Sequence, residues 1–333
     1  MKRVDALTSP EITGLWQTYM QNSAMLCFLE YFQHHMEDEE IMPVLKGAVS
    51  FSKKCLDEIK EIFNSEKFPI PKGFSRKDVD FEAPRLYNDL FALSFIYRMH
   101  QMAVSFYGTT LTKVARNDIV TLFAGYLSDS TNLYLEALNL MLSKGIYDRP
   151  PKMPYPDESE MMPEQPSAIE TLIGEKRALN AAELGEIFYI IERNYIGLIL
   201  LTGFIQVMKD AELKRYFLKG KKLAEKQIEI FNDILKKEEE IGNIPVSMEV
   251  TGSTISPFSD KLMTFTISTT TSTGIFLIGY ALSISFRKDL AVHYSLLMAE
   301  IMKFGSDGLK LMTKRGWLEQ LPQGINRKRL MRE

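Results

Sequence analysis

Histidine and acidic side chains are the residues of this chain that could bind a transition metal. The sequence has four histidines: His34, His35, His100 and His293. Glu30 precedes His34 by one helical turn, which places both side chains on one face of a helix. Carboxylate and imidazole groups together form the ligand sets of metal sites in helical bundles. We therefore take Glu30, His34 and His100 as the candidate metal ligands, with iron, manganese or zinc as the candidate ion.

The spacing of these residues also argues against a conventional di-iron centre. Such a centre takes a Glu from each of two helices and a Glu-x-x-His motif from each of the other two. This sequence has no Glu-x-x-His motif, and its second half has Thr202 and Gln206 where the first has Glu30 and His34. A polar contact between Glu30 and His34 at a helix end explains the pair without a metal. We expect no catalytic residues and no resident cofactor, and the metal site stays an alternative.

Composition excludes several classes of protein. Of 333 residues, 45% are hydrophobic and 25% are charged, which is typical of globular chains. The net charge of −3, without a basic stripe, predicts no nucleic-acid partner. Cys27 and Cys55 have neither metal-finger spacing nor the number that a disulfide framework needs. No apolar stretch follows the first charged residues, so we expect no signal peptide and a cytoplasmic location.

One uncharged segment bears on the question of a membrane. The chain has no charged residue from Leu262 to Phe286, which is long enough to span a bilayer. Its first half is only weakly hydrophobic, because Thr and Ser occupy most positions from Thr264 to Thr273. A helix buried on all sides explains the absence of charge without a membrane. We expect such a central helix and no membrane span.

An internal repeat organises the chain. Thr8 and Glu11 recur as Asn180 and Glu183, at an offset of 172 residues. Each pair has the spacing of a capping box, in which the N-cap side chain and a glutamate three residues later satisfy each other's backbone N–H groups. The apolar stripes that follow also run in parallel, in steps of three and four residues. Two copies of one helix-start device predict a duplicated helical unit.

The order of helices and loops within each copy predicts the fold. Pro and Gly interrupt the helical pattern over residues 64–84 and again over 241–257, and helices resume near Asp89 and Asp260. Each half therefore has four helices, with a long crossover between the second and the third. This is the topology of ferritin-like bundles. The predicted fold is all-α, a tandem duplication of a ferritin-like four-helix bundle.

Helix-stop signals give the domain boundaries. The fourth helices end at Gly145 and Gly316, each preceded by a cation, as is usual at helix C-termini. Six prolines follow in the segment between the copies. We predict a first bundle over residues 1–150, a proline-rich linker over 151–178 and a second bundle over 179–333.

Two repeated ion pairs are predicted between the third and fourth helices. Asp89 and Arg116 recur as Asp260 and Arg287. An aspartate at the start of one helix and an arginine at the start of the next would join the two helices if they lay within about 6 Å.

Seven short motifs, spread over nearly the whole chain, resemble those of one family. They are found at Gly73–Val79, Ala83–Leu86, Lys144–Tyr147, Lys176–Asn180, Val250–Thr254, Pro257–Met263 and Gly316–Gln320. In this order the motifs resemble an uncharacterised domain-of-unknown-function family of Bacillus-type, spore-forming bacteria, distantly related to spore coat protein F. The resemblance implies a duplicated ferritin-like fold, and it assigns neither an activity nor catalytic residues.

These observations favour a non-enzymatic helical protein with a structural or interaction role, associated with sporulation or stress. Its partner would be another protein or a second copy of itself. A ferritin-like metal-binding protein or oxidase that uses the first bundle is the alternative. A carrier of an apolar ligand is a further alternative, because the chain has 18 Met and 20 Phe residues that could line a pocket.

Overall fold

The computed structural model describes residues 6–159, 161, 177–238 and 249–331. Apart from two isolated β-bridges, the regular elements of these residues are all helical. The helices of the first half are α1 Ser9–His35, α2 Met42–Ser65, α3 Asp89–Leu111 and α4 Asn117–Ser143. Those of the second half are α5 Ala181–Val207, α6 Ala211–Lys237, α7 Asp260–Ile284 and α8 Lys288–Lys314. A 3-10 helix at Arg76–Asp78 and a short α9 at Arg327–Leu330 complete the set.

The helices of each half pack in the same order. In the first half α1 packs mainly on α2 and α3 mainly on α4, with further contacts of α1 with α3 and of α2 with α4. The second half repeats this scheme with α5 to α8. The all-α fold and its tandem duplication are therefore confirmed, and the long crossover lies between the second and third helices of each half, as predicted.

The predicted helix boundaries are confirmed by their caps. Thr8 and Asn180 are the N-caps of α1 and α5, and each forms the expected capping box. Gly145 and Gly316 follow the C-caps of α4 and α8 with φ of 67°. A side chain is strained at this positive φ, so glycine is the residue that ends these helices at least cost.

The glutamates of the capping boxes also hold a second helix. Glu11 is 1% exposed, and its Oε1 accepts the backbone N–H groups of Ala115 and Arg116 at the start of α4. Glu183 does the same for Phe286 and Arg287 at the start of α8. One buried carboxylate in each bundle therefore caps two helix N-termini, where the helix dipole favours negative charge.

The ion pairs predicted between the third and fourth helices are wrong. Asp89 binds Arg85 instead, and Arg116 binds Glu66 at 2.6 Å and Asp118 at 2.8 Å. Helices α3 and α4 are antiparallel, so their first residues lie at opposite ends of a bundle about 30 Å long. Sequence alignment of the copies identified paired charges correctly but not their partners.

The two crossovers bind each other around an approximate twofold axis. Asp80 N–H donates to Pro257 O at 2.8 Å, and Ser259 N–H donates to Asp78 O at 2.9 Å. At the positions one repeat away, Thr251 N–H donates to Leu86 O at 2.9 Å and Asn88 N–H to Glu249 O at 3.1 Å. Each bond therefore has a counterpart with the halves exchanged, as in the interface of a symmetric dimer.

A shared aromatic core underlies these backbone bonds. The Phe28 ring lies 4.3 Å from Phe258 and 6.2 Å from Phe204, both in the second half. Tyr87 is 2% exposed and donates its hydroxyl to Leu200 O at 2.8 Å. The buried cluster containing these residues is continuous across both halves, whereas each half also has a smaller cluster of its own. The halves are thus joined through their interiors.

The uncharged helix α7 is buried on all sides only near its start. Residues from Leu262 to Ile267 are buried, but Phe276 and Tyr280 further along are 54% and 52% exposed. The prediction of a fully buried central helix is therefore wrong for its second half. By length and composition alone, α7 and α5 are both apolar enough to cross a membrane. Within an apolar 18-residue stretch of each helix, 28% of the stretch in α7 and 44% of that in α5 are buried.

Hydroxyl groups explain how α7 tolerates so many threonines. The Oγ1 atoms of Thr264, Thr266 and Thr271 each donate to the carbonyl four residues earlier. These bonds satisfy the side chains within the helix itself. A methyl group at Gly305 of α8 would lie only 2.8 Å from Thr271 Cγ2, so small residues let α7 and α8 approach closely.

Candidate functional site

The predicted metal ligand Glu30 is held in ion pairs. Lys53 Nζ lies 2.8 Å from its Oε1, and Arg76 Nε lies 3.3 Å from its Oε2. The carboxylate side chain is 12% exposed. His34 is exposed, with its ring edge-on to His35 at 4.9 Å. Glu30 therefore connects α1 to α2 and to the crossover, and both of its oxygens already face a cation.

His100 lies apart from this pair, inside the first bundle. It is fully buried, with its ring 5.4 Å from that of Phe51, and neither ring nitrogen has a hydrogen-bond partner among the described residues. Burial lowers the pKa of His100 to about 3. Within the described part of the chain, no three His, Cys, Asp or Glu side chains come together in a way that could hold a metal ion.

His100 belongs to a layer of buried polar side chains at mid-height of the first bundle. Every helix contributes to this layer, and we call it the polar layer. Its members are Thr18, Asn22, Ser52, Cys55, His100, Tyr107, Tyr126 and Ser130, none more than 6% exposed. Asn22 Nδ2 donates to the Tyr107 hydroxyl at 3.1 Å. The hydroxyls of Ser52 and Ser130 have no partner among the described residues.

The second bundle has an apolar interior at most of the same positions. Ile190, Ala224, Ile278, Leu297 and Ile301 replace Thr18, Ser52, Tyr107, Tyr126 and Ser130 in the repeat alignment. Three positions stay polar: Asn194 replaces Asn22 and bonds Gln227, the counterpart of Cys55, at 3.2 Å, and Thr271 replaces His100. Because the fold closes with aliphatic residues at the other five positions of this bundle, those members of the polar layer are not required by the architecture.

Burial keeps the polar layer neutral. It raises the pKa of the Cys55 thiol, and it raises the pKa of Tyr107 well above its usual value. The same effect disfavours the imidazolium form of His100. A thiol, two phenols and an imidazole therefore stay uncharged together, so this layer can exchange hydrogen bonds but offers no thiolate or imidazolium at neutral pH.

A charged cluster joins α3 of the first half to α5 of the second. Arg98 is 9% exposed and forms an ion pair with Glu192. Next to it, Gln101 Oε1 accepts bonds from Arg98 at 2.9 Å and from the Tyr189 hydroxyl at 2.8 Å. Burial lowers the pKa of the neighbouring Arg193 to about 10. A buried ion pair adds little net stability, but the loss of either partner would leave the other charge buried and unpaired.

The outward side of α7 and α8 is unusually apolar. Large hydrophobic residues between 41% and 62% exposed occupy seven positions there: Phe276, Tyr280, Phe286, Val292, Leu296, Met302 and Leu309. We call this set the apolar face. Six of these residues lie on α7 and α8, which pack directly against each other, and Phe286 lies in the loop between the two helices.

The first bundle lacks this surface. At an offset of 171 residues, the counterparts of the apolar face are Ser105, Thr109, Ala115, Thr121, Gly125, Thr131 and Leu138. Six of the seven are small or carry a hydroxyl group, although the backbone scaffold is the same. The apolar face is therefore a property of the second repeat and not a by-product of the bundle fold. The apolar face was missed in the sequence because only the caps and the apolar stripes of the two repeats were compared, and not their exposed positions.

Comparisons with known proteins give a family but no activity. The model of a family described as "Protein of unknown function (DUF3231)" matches residues 1–158 and again residues 167–330. Among solved structures, the chain is similar to a Bacillus halodurans protein provisionally described as a spore coat protein, at 19% identity and a TM-score of 0.43. The similarity covers 45% of this chain and 98% of that one. The comparison with curated proteins found no match.

Proposed function

The chain belongs to the DUF3231 family of unknown function, whose unit it carries twice, and we propose that it is a non-enzymatic interaction protein. The apolar face of the second repeat carries this proposal. Exposed apolar patches of more than a few hundred Å² are rare on monomeric proteins and mark sites of association. The contrast with the first repeat supports the same conclusion, since six of the seven equivalent positions there are small or carry a hydroxyl group.

The division of roles between the repeats follows from this contrast. The aromatic core and the paired crossovers hold the halves in one fixed arrangement. The apolar face of the second repeat is exposed on this fixed arrangement of the two halves. The association with spores and a cytoplasmic location remain proposals; the first of them rests on the motifs quoted from the sequence.

Site-specific photocrosslinking in a sporulating host tests the interaction role. A crosslinking amino acid replaces Phe276 on the apolar face or, as the control, Leu135 on the first repeat, which is 45% exposed. We expect discrete protein adducts from position 276 only. Equal yields from the two positions, or no adduct from position 276, would reject the interaction role, whatever the partner.

The polar layer favours a second candidate, a ligand-binding role for the first bundle. Its unpartnered hydroxyls and imidazole are buried groups that a small polar molecule or a metal-bound water could satisfy. Native mass spectrometry and metal analysis after loading with iron, manganese or zinc test this role. A bound species that is lost in His100→Leu supports it, and identical spectra of the two proteins reject it.

A further inference from the structure

We propose that the apolar face binds the apolar face of a second copy of this chain, so that two molecules associate through their second repeats. This inference rests on the interaction role proposed above and names the partner. It depends on the charge of the face, its area and its restriction to one repeat.

The charge pattern determines which partner fits. Helix α7 has no charged residue between Lys261 and Arg287, so a charged partner finds no counter-charge there. On the flank of α8, Glu300 pairs with Lys226 at 2.6 Å and Asp307 pairs with Lys219 at 3.9 Å. These four side chains therefore add no net charge to the contact, whereas Lys303 and Lys310 of α8 are also exposed and must lie opposite uncharged positions of the second copy.

The exposed apolar area suits the centre of a dimer interface. Aromatic side chains bury ~150–250 Å² when fully covered, so the three aromatic members at roughly half exposure leave on the order of 300 Å² to cover, and the four aliphatic members add further area. A standard interface buries about 800 Å² on each partner, including its polar rim. An apolar patch that pairs with itself forms a closed, twofold contact and does not propagate into fibres.

The restriction to one repeat predicts the size of the assembly. The first repeat has small or hydroxyl-bearing residues at six of the seven equivalent positions, so a molecule has one such surface and not two. Association through a single self-complementary surface stops at the dimer. A chain with the face on both repeats would form longer arrays.

Sedimentation velocity of the purified full-length chain tests the proposal. We expect a concentration-dependent dimer for the wild type, and a monomer for Leu296→Arg, which places a charge at a position 62% exposed. The matched control, Leu135→Arg, makes the same change at an exposed position of the first repeat and should dimerise like the wild type. Circular dichroism and thermal unfolding confirm that each variant is folded.

A second variant guards against an effect particular to arginine. Phe276→Ser with Tyr280→Thr takes the residues of the first repeat, and it should also yield a monomer. A wild type that stays monomeric at the highest attainable concentration overturns the proposal, as does equal weakening by the control. Flotation of monomeric protein with neutral phosphatidylcholine vesicles would also overturn it in favour of a membrane. If photocrosslinks from position 276 reach only other proteins, the interaction role survives and the homotypic partner does not.

Discussion

Replacing His100 by leucine should stabilise the protein, and more so in acid. The imidazole is fully buried with both nitrogens unpartnered among the described residues. Leucine has a similar volume and no polar atoms to leave unsatisfied. Removing a buried, unsatisfied polar group is worth about 1–2 kcal/mol, and we expect His100→Leu to gain that amount at pH 7.5.

The pH dependence follows from the pKa of His100, which burial lowers from 6.5 to about 3. The folded protein keeps the ring neutral, whereas the unfolded chain takes up a proton below pH ~6.5. Stability linked to this residue is therefore fully present above pH ~6.5 and is lost as the pH falls towards 3. At pH 5 the loss amounts to about 2 kcal/mol, at 1.36 kcal/mol for each pH unit.

Urea unfolding of wild type and His100→Leu at pH 7.5 and pH 5 measures this effect. The stability difference between the two proteins should grow by about 2 kcal/mol from the higher to the lower pH. The control is His34→Gln, which takes the residue of the second repeat at an exposed position and should show no such growth. A difference that stays constant with pH, or a variant less stable at both pH values, refutes the view of His100 as an unsatisfied core residue.

Three further substitutions test the fold. Burial raises the pKa of Glu11, but hydrogen bonds from Thr8, Arg116 and Ala115 outweigh it and lower the pKa to about 2. Glu11→Gln should therefore lower the free energy of unfolding by about 2 kcal/mol at pH 7, as measured by chemical unfolding. The loss should be smaller as the pH falls below 4.5 towards 2. Gly203→Ala should cost about 1–3 kcal/mol, because its methyl would lie 2.6 Å from the Tyr87 ring, whereas Gly197→Ala, in open space, should not destabilise. Arg98→Met should lower the free energy of unfolding by about 3–5 kcal/mol, because it leaves the charge of Glu192 without its partner, and adding Glu192→Met should restore much of that loss. Equal losses in the single and double variants would contradict a coupled pair.

Local signals in the sequence predicted the helices well. A capping box needs only four neighbouring residues, and the glycines after α4 and α8 act at their own positions, so both could be recognised without a structure. The repeat then supplied the topology, because two copies of the same order of helices and loops constrain each other. Burial and pairing over long distances were beyond this reasoning.

Two examples show the limit of prediction from the sequence. Arg116 was paired with Asp89 because both recur, yet its actual partner Glu66 lies at the end of α2, which neighbours the start of α4 only in three dimensions. The lack of charge in α7 was attributed to burial, although one half of the helix is covered by the other repeat and the other half is exposed. Both errors have one cause: the sequence does not contain the contacts between halves.

The polar layer and the apolar face share a signal that could have found them. Each is a departure of one repeat from the other at equivalent positions. His100 has Thr271 as its counterpart, and Phe276 has Ser105. Two copies with one fold need the same caps and glycines, so buried or exposed positions that differ in chemistry are where different tasks of the repeats should be sought.

Hydrogen–deuterium exchange of the wild-type chain at low and high protein concentration tests the central claim most directly. If the second repeat carries the contact surface, amides of residues 276–296 will exchange more slowly in the concentrated sample, while those of residues 105–125 on the first repeat will not change. Identical exchange of residues 276–296 at both concentrations would contradict the claim, and so would equal slowing of the two repeats.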